Sequence, residues 1–497
     1  MNFARDIVAA ATGDALALVE RARDGSRRAW SFGEIDRGSA AMAASLAARG
    51  VRRGDVVVTL VGNRPEWVLT MVACLRAGFV ALPCTEQLRA KDLALRVALT
   101  RPAAIVCDER NRVELEAALG SGDDAAVLLI PDPSLFAPST AEPPPFADLA
   151  DDDPCLITFT SGTAGEPKAV VHGQRYLDGQ RLQAEHWLDA RAGELVWCTA
   201  ASGWSKSARN VFIAPWLRGA PALLHDARFD PAERLALLEE ERVGVLCMAP
   251  TEFRVIAKRA EPRPVAGLRS LVAAGEALNP EVLHAYHAAT GLWIRDGYGQ
   301  TETGQTTGQP AGVEPIPGSM GRALPGVGLR VVDDELQVDP QTVPTFFLGY
   351  LGEDVTRADD GSWHIEDRRD GGPWLTGDRV RQDDDGFLHF IGRADDVIIS
   401  AGYRIGPFEV ESALVSHPAI AEAAVVAAPD PERGSVVRAV VVLRAGEQPS
   451  GELARQLQDH VKAQTAPYKY PRIVEFADEL PKTDSGKVRR AALRGER

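Results

Sequence analysis

Short apolar runs alternate with longer amphipathic stretches through the first half of the chain. DVVVTLVG (residues 55–62) carries apolar side chains at successive positions, which predicts a buried strand. RPEWVLTMVACLRAG (64–78) follows with apolar residues at helical spacing and a stop at Gly78. FVALP and AAIVCD repeat the strand pattern, with a helical segment between them. Further along, CLITFT, VGVLCMAP and LRSLVAAGE read as strands. TEFRVIAKRA, with Thr251 as its N-cap, and NPEVLHAYHAAT read as helices. Strands that alternate with helices build parallel sheets covered on both faces.

The pattern changes twice. From about residue 330 to 390 it consists of short strands and turns, and DDDGFLHFIGR predicts a hairpin. Beyond Arg393 a helix opens on Pro407, the strands AEAAVVAAP and VVRAVVVL follow, and then come the helix ELARQLQDHVKAQ and the strand RIVEFA. The expected architecture is a large α/β N-terminal region over residues 1–393, with a β-rich subdomain over about 320–393. A small α+β C-terminal domain over 394–497 follows it, large enough for a core of its own. Residues 132–154, rich in Pro, Ser and Asp, read as a solvated connector.

Composition narrows the partners. The chain has 497 residues and a formal net charge of −15, and its arginines are scattered. A nucleic acid or an anionic membrane surface needs a concentrated basic face, so neither is expected. The six cysteines show no CxxC spacing and lie mostly in apolar runs, which predicts buried reduced thiols in a cytoplasmic protein. Asp6, Asp14 and Glu20 interrupt the N-terminal apolar residues, so neither a signal peptide nor a membrane span is expected there.

The candidate chemistry begins at TFTSGTAGEPKAVVH (158–172). Glycines let a backbone turn tightly and present its N–H groups to an anion. Thr160, Ser161 and Thr163 add hydroxyl donors and Lys168 adds a charge, so a polyphosphate is the expected ligand. The GxxxxGK[ST] spacing of a Walker loop is absent.

TSGTAGEPK resembles the signature of the AMP-forming acyl-CoA synthetases, the superfamily that includes luciferases and peptide-synthetase adenylation domains. AAGEALNP (273–280), DGYGQTETG (296–304), LTGD (375–378), GRADDVIISAGYRIGPFEVE (392–411) and PKTDSGKVRR (481–490) follow in the family's order. WCTAASGWSKSA, PDPERG and YKYPRIVEF look like the medium-chain branch. The resemblance implies that ATP, Mg²⁺ and coenzyme A bind. Thr160, Ser161, Gly162, Thr163, Gly165 and Lys168 would grip phosphate. Gly275, Glu276, Ala277, Asp296, Gly297, Tyr298, Gly299 and Gln300 would surround the nucleotide, with Tyr298 offering a stacking face. Thr301 would bond the α-phosphate or the substrate carboxylate, and Glu302 would hold Mg²⁺. Asp378 and Arg393 would reach the ribose, Arg404 the phosphate, and Lys487 the charge that develops as the carboxylate attacks.

In the family the C-terminal domain is mobile and swings between two poses. Here Asp395 would be the hinge, and Ala401, Gly402, Tyr403 and Arg433 would lie near coenzyme A. Acetate-specific relatives carry a tryptophan where this chain has Gly299, so the resemblance implies extra volume at the pocket floor and an acid larger than acetate. Trp204 is a candidate pocket wall. Two features depart from the pattern: Ala164 replaces a hydroxyl residue in the phosphate loop, and residues 330–375 lack the usual Pro-Gly-rich hairpin. The reading is an ATP-dependent ligase that makes an acyl-CoA from a medium-chain or aromatic acid. The alternative passes the activated group to a carrier protein, an amine or another nucleophile. A non-catalytic nucleotide-binding regulator would not need both Glu302 and Lys487. The expected partner is a small-molecule carboxylic acid, with a homodimer left open.

Overall fold

The computed structural model describes residues 1–120, 124–137, 142–160, 167–276, 278–400, 403–431, 433–483 and 487–495, with Arg404 as backbone only. Two seven-stranded sheets carry the N-terminal region. In one, Val56–Leu60 lies between Val80–Cys84 and Ala104–Asp108, all three parallel. Every residue of these strands is buried, as expected of an apolar run covered by helices on both faces. In the other sheet, Ile294–Gly297, Ser270–Ala274, Val245–Met248 and Val196–Cys198 are parallel neighbours.

Local sequence sets the element ends. Ser31 opens the helix Phe32–Ala47 with a capping box: its hydroxyl accepts from the Glu34 N–H, and the Glu34 carboxylate accepts from the Ser31 N–H. Gly78 closes Pro65–Ala77 in the left-handed region at φ 73°. The main core runs between the sheets, where Trp67 meets the edge of Phe212 at 5.6 Å and Phe212 meets Trp216 at 5.0 Å.

Residues beyond 320 form two further layers. Leu329–Val332, Glu335–Val338, Trp374–Gln382 and Leu388–Arg393 make a four-stranded antiparallel sheet. After it, the helices Pro407–Ser416 and Gly451–Gln464 cover a three-stranded sheet of Ile420–Asp430, Gly434–Leu443 and Ile473–Phe476. Val410, Leu414, Val425, Val441, Leu457 and Val461 give this unit a separate core.

Three details differ from the sequence reading. Thr251 is not an N-cap: the helix is Pro250–Arg259 with Ala249 at the cap. Pro250 takes the first helical position, where its missing N–H leaves nothing unpaired, and the Thr251 hydroxyl donates to Glu276 instead. The 132–154 connector is not wholly solvated. Its Phe146 ring lies 3.9 Å under the Arg76 guanidinium, and its Ala147 carbonyl accepts from Asn2 at 3.0 Å. AVVHG forms a strand, Ala169–Gly173, antiparallel to Pro154–Phe159, so the two elements that flank the phosphate-loop sequence are paired with each other.

Candidate active site

These paired strands fix both ends of the glycine-rich loop. The Thr160 N–H donates to the Lys168 carbonyl at 2.9 Å, and the Thr160 hydroxyl accepts from the Lys168 N–H at 3.0 Å. Ser161, Gly162, Thr163, Ala164 and Gly165 lie outside the described residues. The Lys168 amine stands 2.8 Å from the Glu353 carboxylate and 4.5 Å from the centre of the Tyr350 ring. Tyr350 belongs to Gly349–Tyr350, the edge strand beside Ala169–Gly173. Its hydroxyl donates to Glu302 Oε1 at 2.8 Å. Burial, and then the neighbouring Glu302 charge, push the Tyr350 phenol well up. One aromatic side chain thus joins the loop lysine to the candidate metal ligand. Neither Tyr350 nor Glu353 was singled out from the sequence, because both fall in the stretch that departs from the family pattern.

The motif after Ile294–Gly297 turns back on itself. Gly299–Gln300 pairs with Gly304–Gln305 in a tight hairpin, with Thr301 and Glu302 at its tip. The hairpin corrects the expectation for Gly299: a Cβ there would sit 1.9 Å from the Gly304 carbonyl oxygen. The volume left by an absent indole is filled by the hairpin's own return strand, so Gly299 opens no pocket floor. Asp296 is desolvated at the strand end, which pushes its carboxyl up to about 8, although it accepts from the Gly297 N–H at 2.8 Å.

Asp378 sits inside Trp374–Gln382 and is 4% exposed, too little for a solvated hairpin charge. The Tyr298 hydroxyl donates to its Oδ2, and so does Gln300 at 2.9 Å. Gln300 also donates to the Thr376 carbonyl at 2.8 Å and accepts from the Trp374 indole at 3.0 Å. Arg393 approaches the other carboxylate oxygen at 3.4 Å. Burial raises the Asp378 carboxyl above the usual range, and Arg393 is the first of the groups opposing that rise.

Lys487 enters the same space from the C-terminal unit. It is half-buried, and its backbone is tied to Thr483 by two hydrogen bonds, 2.8 and 3.2 Å long. Desolvation and then the Lys206 charge hold its amine below the ordinary lysine value, while Glu276 and Asp378 pull the other way. These partners place Lys487 among Lys206, Glu276, Asp378 and Arg393. Lys206, missed in the sequence reading although WSKSA was noted, donates to the Ala274 carbonyl at 3.0 Å. It lies 3.2 Å from where a Cβ at Gly275 would stand, and Gly275 itself adopts φ +101°. Glu276 is held by Arg254 at 2.8 Å, and Ala277 lies outside the described residues. Trp204 is half-buried against the main core, 6.0 Å from the Lys206 amine.

The remaining candidates stand apart from this cluster. Tyr403 is more than half exposed and stacks on Tyr468 at 4.3 Å. Arg433 is exposed, and its N–H donates to Asp430 at 2.9 Å. Ala401, Gly402 and the Arg404 side chain lie outside the described residues. At the expected hinge, Arg393 Nε is 3.7 Å from Asp395. Hydrogen bonds from Asn279 to Ser412 (3.1 Å) and from Lys258 to the Ala421 carbonyl (2.6 Å) join the two regions. Among the described residues no helix is long and apolar enough to cross a membrane, and no group of three His, Cys, Asp or Glu residues converges as a metal site.

Residues 6–351 match the family described as AMP-binding enzyme, and residues 409–487 match the AMP-binding enzyme C-terminal domain. The chain belongs to the AMP-binding enzymes, as an AMP-forming acid–thiol ligase. The ligase is 39% identical over 487 residues to the mitochondrial acyl-coenzyme A synthetase ACSM4 of Rattus norvegicus, a match that covers 94% of this chain and 84% of that one. It is also similar to a solved acyl-CoA synthetase of Brucella canis, with 33% identity, a TM-score of 0.71, and 98% and 92% of the two chains covered. A benzoate CoA ligase from Burkholderia xenovorans shares the ligase's fold at a TM-score of 0.85 and 26% identity, over 99% of this chain and all of the other (100%).

Proposed function

We propose that the ligase activates a carboxylic acid larger than acetate with ATP and Mg²⁺, releases pyrophosphate, and passes the acyl group to the thiol of coenzyme A. The observation that carries this reading is the meeting of Lys487 with Asp378, Glu276 and Arg393, residues from three separate motifs. A carboxylate is a poor acyl donor because its leaving group would be oxide. Adenylation replaces that oxide with AMP. Lys487, desolvated and positive, stabilises the charge that builds as the carboxylate attacks phosphorus. Asp378 accepts from the ribose hydroxyls, and Tyr298 and Gln300 fix its orientation. Thr301, at the hairpin tip, bonds the α-phosphate or the substrate carboxylate.

Glu302 suits Mg²⁺: Tyr350 holds one of its oxygens, and among the described residues the other accepts no hydrogen bond. A magnesium ion commonly takes only one or two carboxylates and completes its shell with phosphate and water. The ion would neutralise phosphate charge. Transfer to coenzyme A uses the second pose of the C-terminal domain, reached about Asp395, in which Tyr403 and Arg433 face the pantetheine arm. An acid larger than acetate agrees with the names of the acyl and benzoate relatives. The cytoplasm fits the six cysteines, all free and buried.

The test is pyrophosphate release across a panel of carboxylic acids, with and without coenzyme A. Acid-dependent release that coenzyme A accelerates, with an acyl-CoA as product, supports the proposal. Release unaffected by coenzyme A assigns the acyl group to another nucleophile.

A further inference from the structure

Among the described residues four arginines are buried, and two of them pair with carboxylates. Arg175 pairs with Asp152, and Arg234 with Glu252 at 3.1 Å. Arg295 donates to the Ser270 hydroxyl at 2.7 Å and the Gln309 carbonyl at 3.1 Å. Arg209 is 4% exposed, its Nε is sealed from water without a partner, as are those of Arg175 and Arg234, and among the described residues it meets the neutral Tyr176 hydroxyl and forms no ion pair. A buried guanidinium without an anion is costly, because it gives up hydration and gains no charge in return.

The surroundings of Arg209 are polar, and several of their atoms lack partners. It lies beside the His172 ring and the Tyr176 hydroxyl, and 3.4 Å from where a Cβ at Gly304 would stand. His172 is 1% exposed and lies beside the Thr301 backbone, but neither ring nitrogen makes a well-formed hydrogen bond. Burial, and next the Arg209 charge, push that imidazole down to about 3, so it is neutral, with one donor and one acceptor to offer. Asn210 Oδ1 and Gln305 Oε1 are also sealed without partners. Lys206 is three residues before Arg209 and also has no carboxylate partner among the described residues. Both cations oppose the rise of the buried Cys247 thiol, which places them near the same sulfur. Lys206 faces Gly275 and Lys487, whereas Arg209 lies beside His172, which in turn meets the Thr301 backbone.

We propose that Arg209, with the His172 ring beside it, binds a second carboxylate at the far end of the acid substrate, so that the preferred substrates are dicarboxylic acids. This rests on the adenylating reading above and names its substrate class. The planar fork of a guanidinium matches a carboxylate through two parallel hydrogen bonds. The reacting carboxylate then lies toward Lys206 and Thr301. A monocarboxylic acid of the same length would leave Arg209 buried without an anion. A neutral distal acceptor would satisfy its hydrogen bonds but not its charge.

The experiment compares dicarboxylic and monocarboxylic acids of equal carbon number, together with keto-monoacids, in the full-length ligase. Pyrophosphate release gives kcat/KM, and calorimetry gives binding. A site that pairs with a polar group discriminates strongly against analogues lacking it, so the best diacid should exceed its monoacid partner by about tenfold or more. Arg209→Met should abolish or reverse that order while leaving the KM for ATP within about twofold, and Arg209→Lys should keep part of the preference. A wild-type preference for monoacids or keto-acids overturns the proposal. So does an equal loss on all acids in Arg209→Met accompanied by a fall in Tm, which would mark a structural role. Arg209-dependent diacid binding without pyrophosphate release would sustain the inference and sink the adenylating reading. Failure of every diacid to bind the wild type sinks the inference.

Discussion

Tyr350 donates a 2.8 Å hydrogen bond to Glu302, across 48 residues of sequence, and so aims the carboxylate expected to meet Mg²⁺. Tyr350→Phe keeps the ring beneath Lys168 and deletes the hydroxyl. One neutral-to-charged hydrogen bond is worth about 1.5–3 kcal/mol, part of which water restores. The expected outcome is a roughly five- to tenfold rise in the Mg²⁺ concentration needed for half-maximal pyrophosphate release, with a smaller change in kcat. A Mg²⁺ titration of wild type and variant checks this. An unchanged half-point would separate Tyr350 from metal positioning.

Lys487→Ala should lower adenylation by about 10²-fold or more, as expected when a preorganised charge is removed from a transition state. Thioester formation from a supplied acyl-adenylate should be largely retained if that step uses the proposed second pose. Parallel assays of pyrophosphate release and of acyl-CoA formation from acyl-adenylate distinguish the two. Equal loss in both would assign the lysine a general structural role.

The lowered value of Lys487 has a pH consequence. If its positive charge stabilises the adenylation transition state, the rate falls as pH rises through the amine's own pKa. Burial and Lys206 set that pKa below the ordinary lysine value, so the alkaline limb should lie at lower pH than an unperturbed lysine would give. Lys206→Met removes the second cause and should move the limb to higher pH. A limb that stays in place in pH–rate profiles would show that another group controls it.

Asp296 gives a stability signature of definite sign. Its carboxyl is raised by desolvation to about 8, so the folded protein holds a proton there that the unfolded chain releases near pH 4. The unfolded state therefore binds fewer protons between those values. This group's contribution falls as pH rises from about 4 to about 8 and is then fully lost. Asp296→Asn should flatten the decline of Tm over that range in the ligand-free ligase. Identical slopes in thermal melts would refute the assignment.

Gly299→Ala tests the hairpin directly. A methyl group there would collide with the Gly304 carbonyl and with the Gln305 backbone, which cannot rotate away as a flexible side chain would. Overpacking against backbone costs about 1–3 kcal/mol, so the variant should lose several degrees in Tm and much of its adenylation rate. A stable, active Gly299→Ala would show that this turn opens readily.

The elements and the site were legible in the sequence to different degrees. The strands Val56–Leu60 and Ala104–Asp108 were plain because wholly buried parallel strands carry uninterrupted apolar runs. Asp378, Glu302 and Lys487 stood out because ordered motifs surrounded them. Tyr350 and Lys206 did not, since their significance lies in what packs opposite them, and a sequence does not display a partner in a distant strand. Gly299 misled for a related reason. The absence of a side chain was visible, but the return strand that fills its place was not. Arg209 escaped notice because an arginine between serine–alanine and asparagine looks solvated until its burial is known.

Arg393 lies between Asp378 at 3.4 Å and Asp395 at 3.7 Å. One guanidinium is therefore shared by the proposed ribose-binding carboxylate and the proposed pivot. If the C-terminal domain turns about Asp395, one side of that triangle changes and the charge opposite Asp378 with it. A nucleotide drawing on Asp378 would change the other side. On that proposal the two domains would be timed against each other like a gate and its latch.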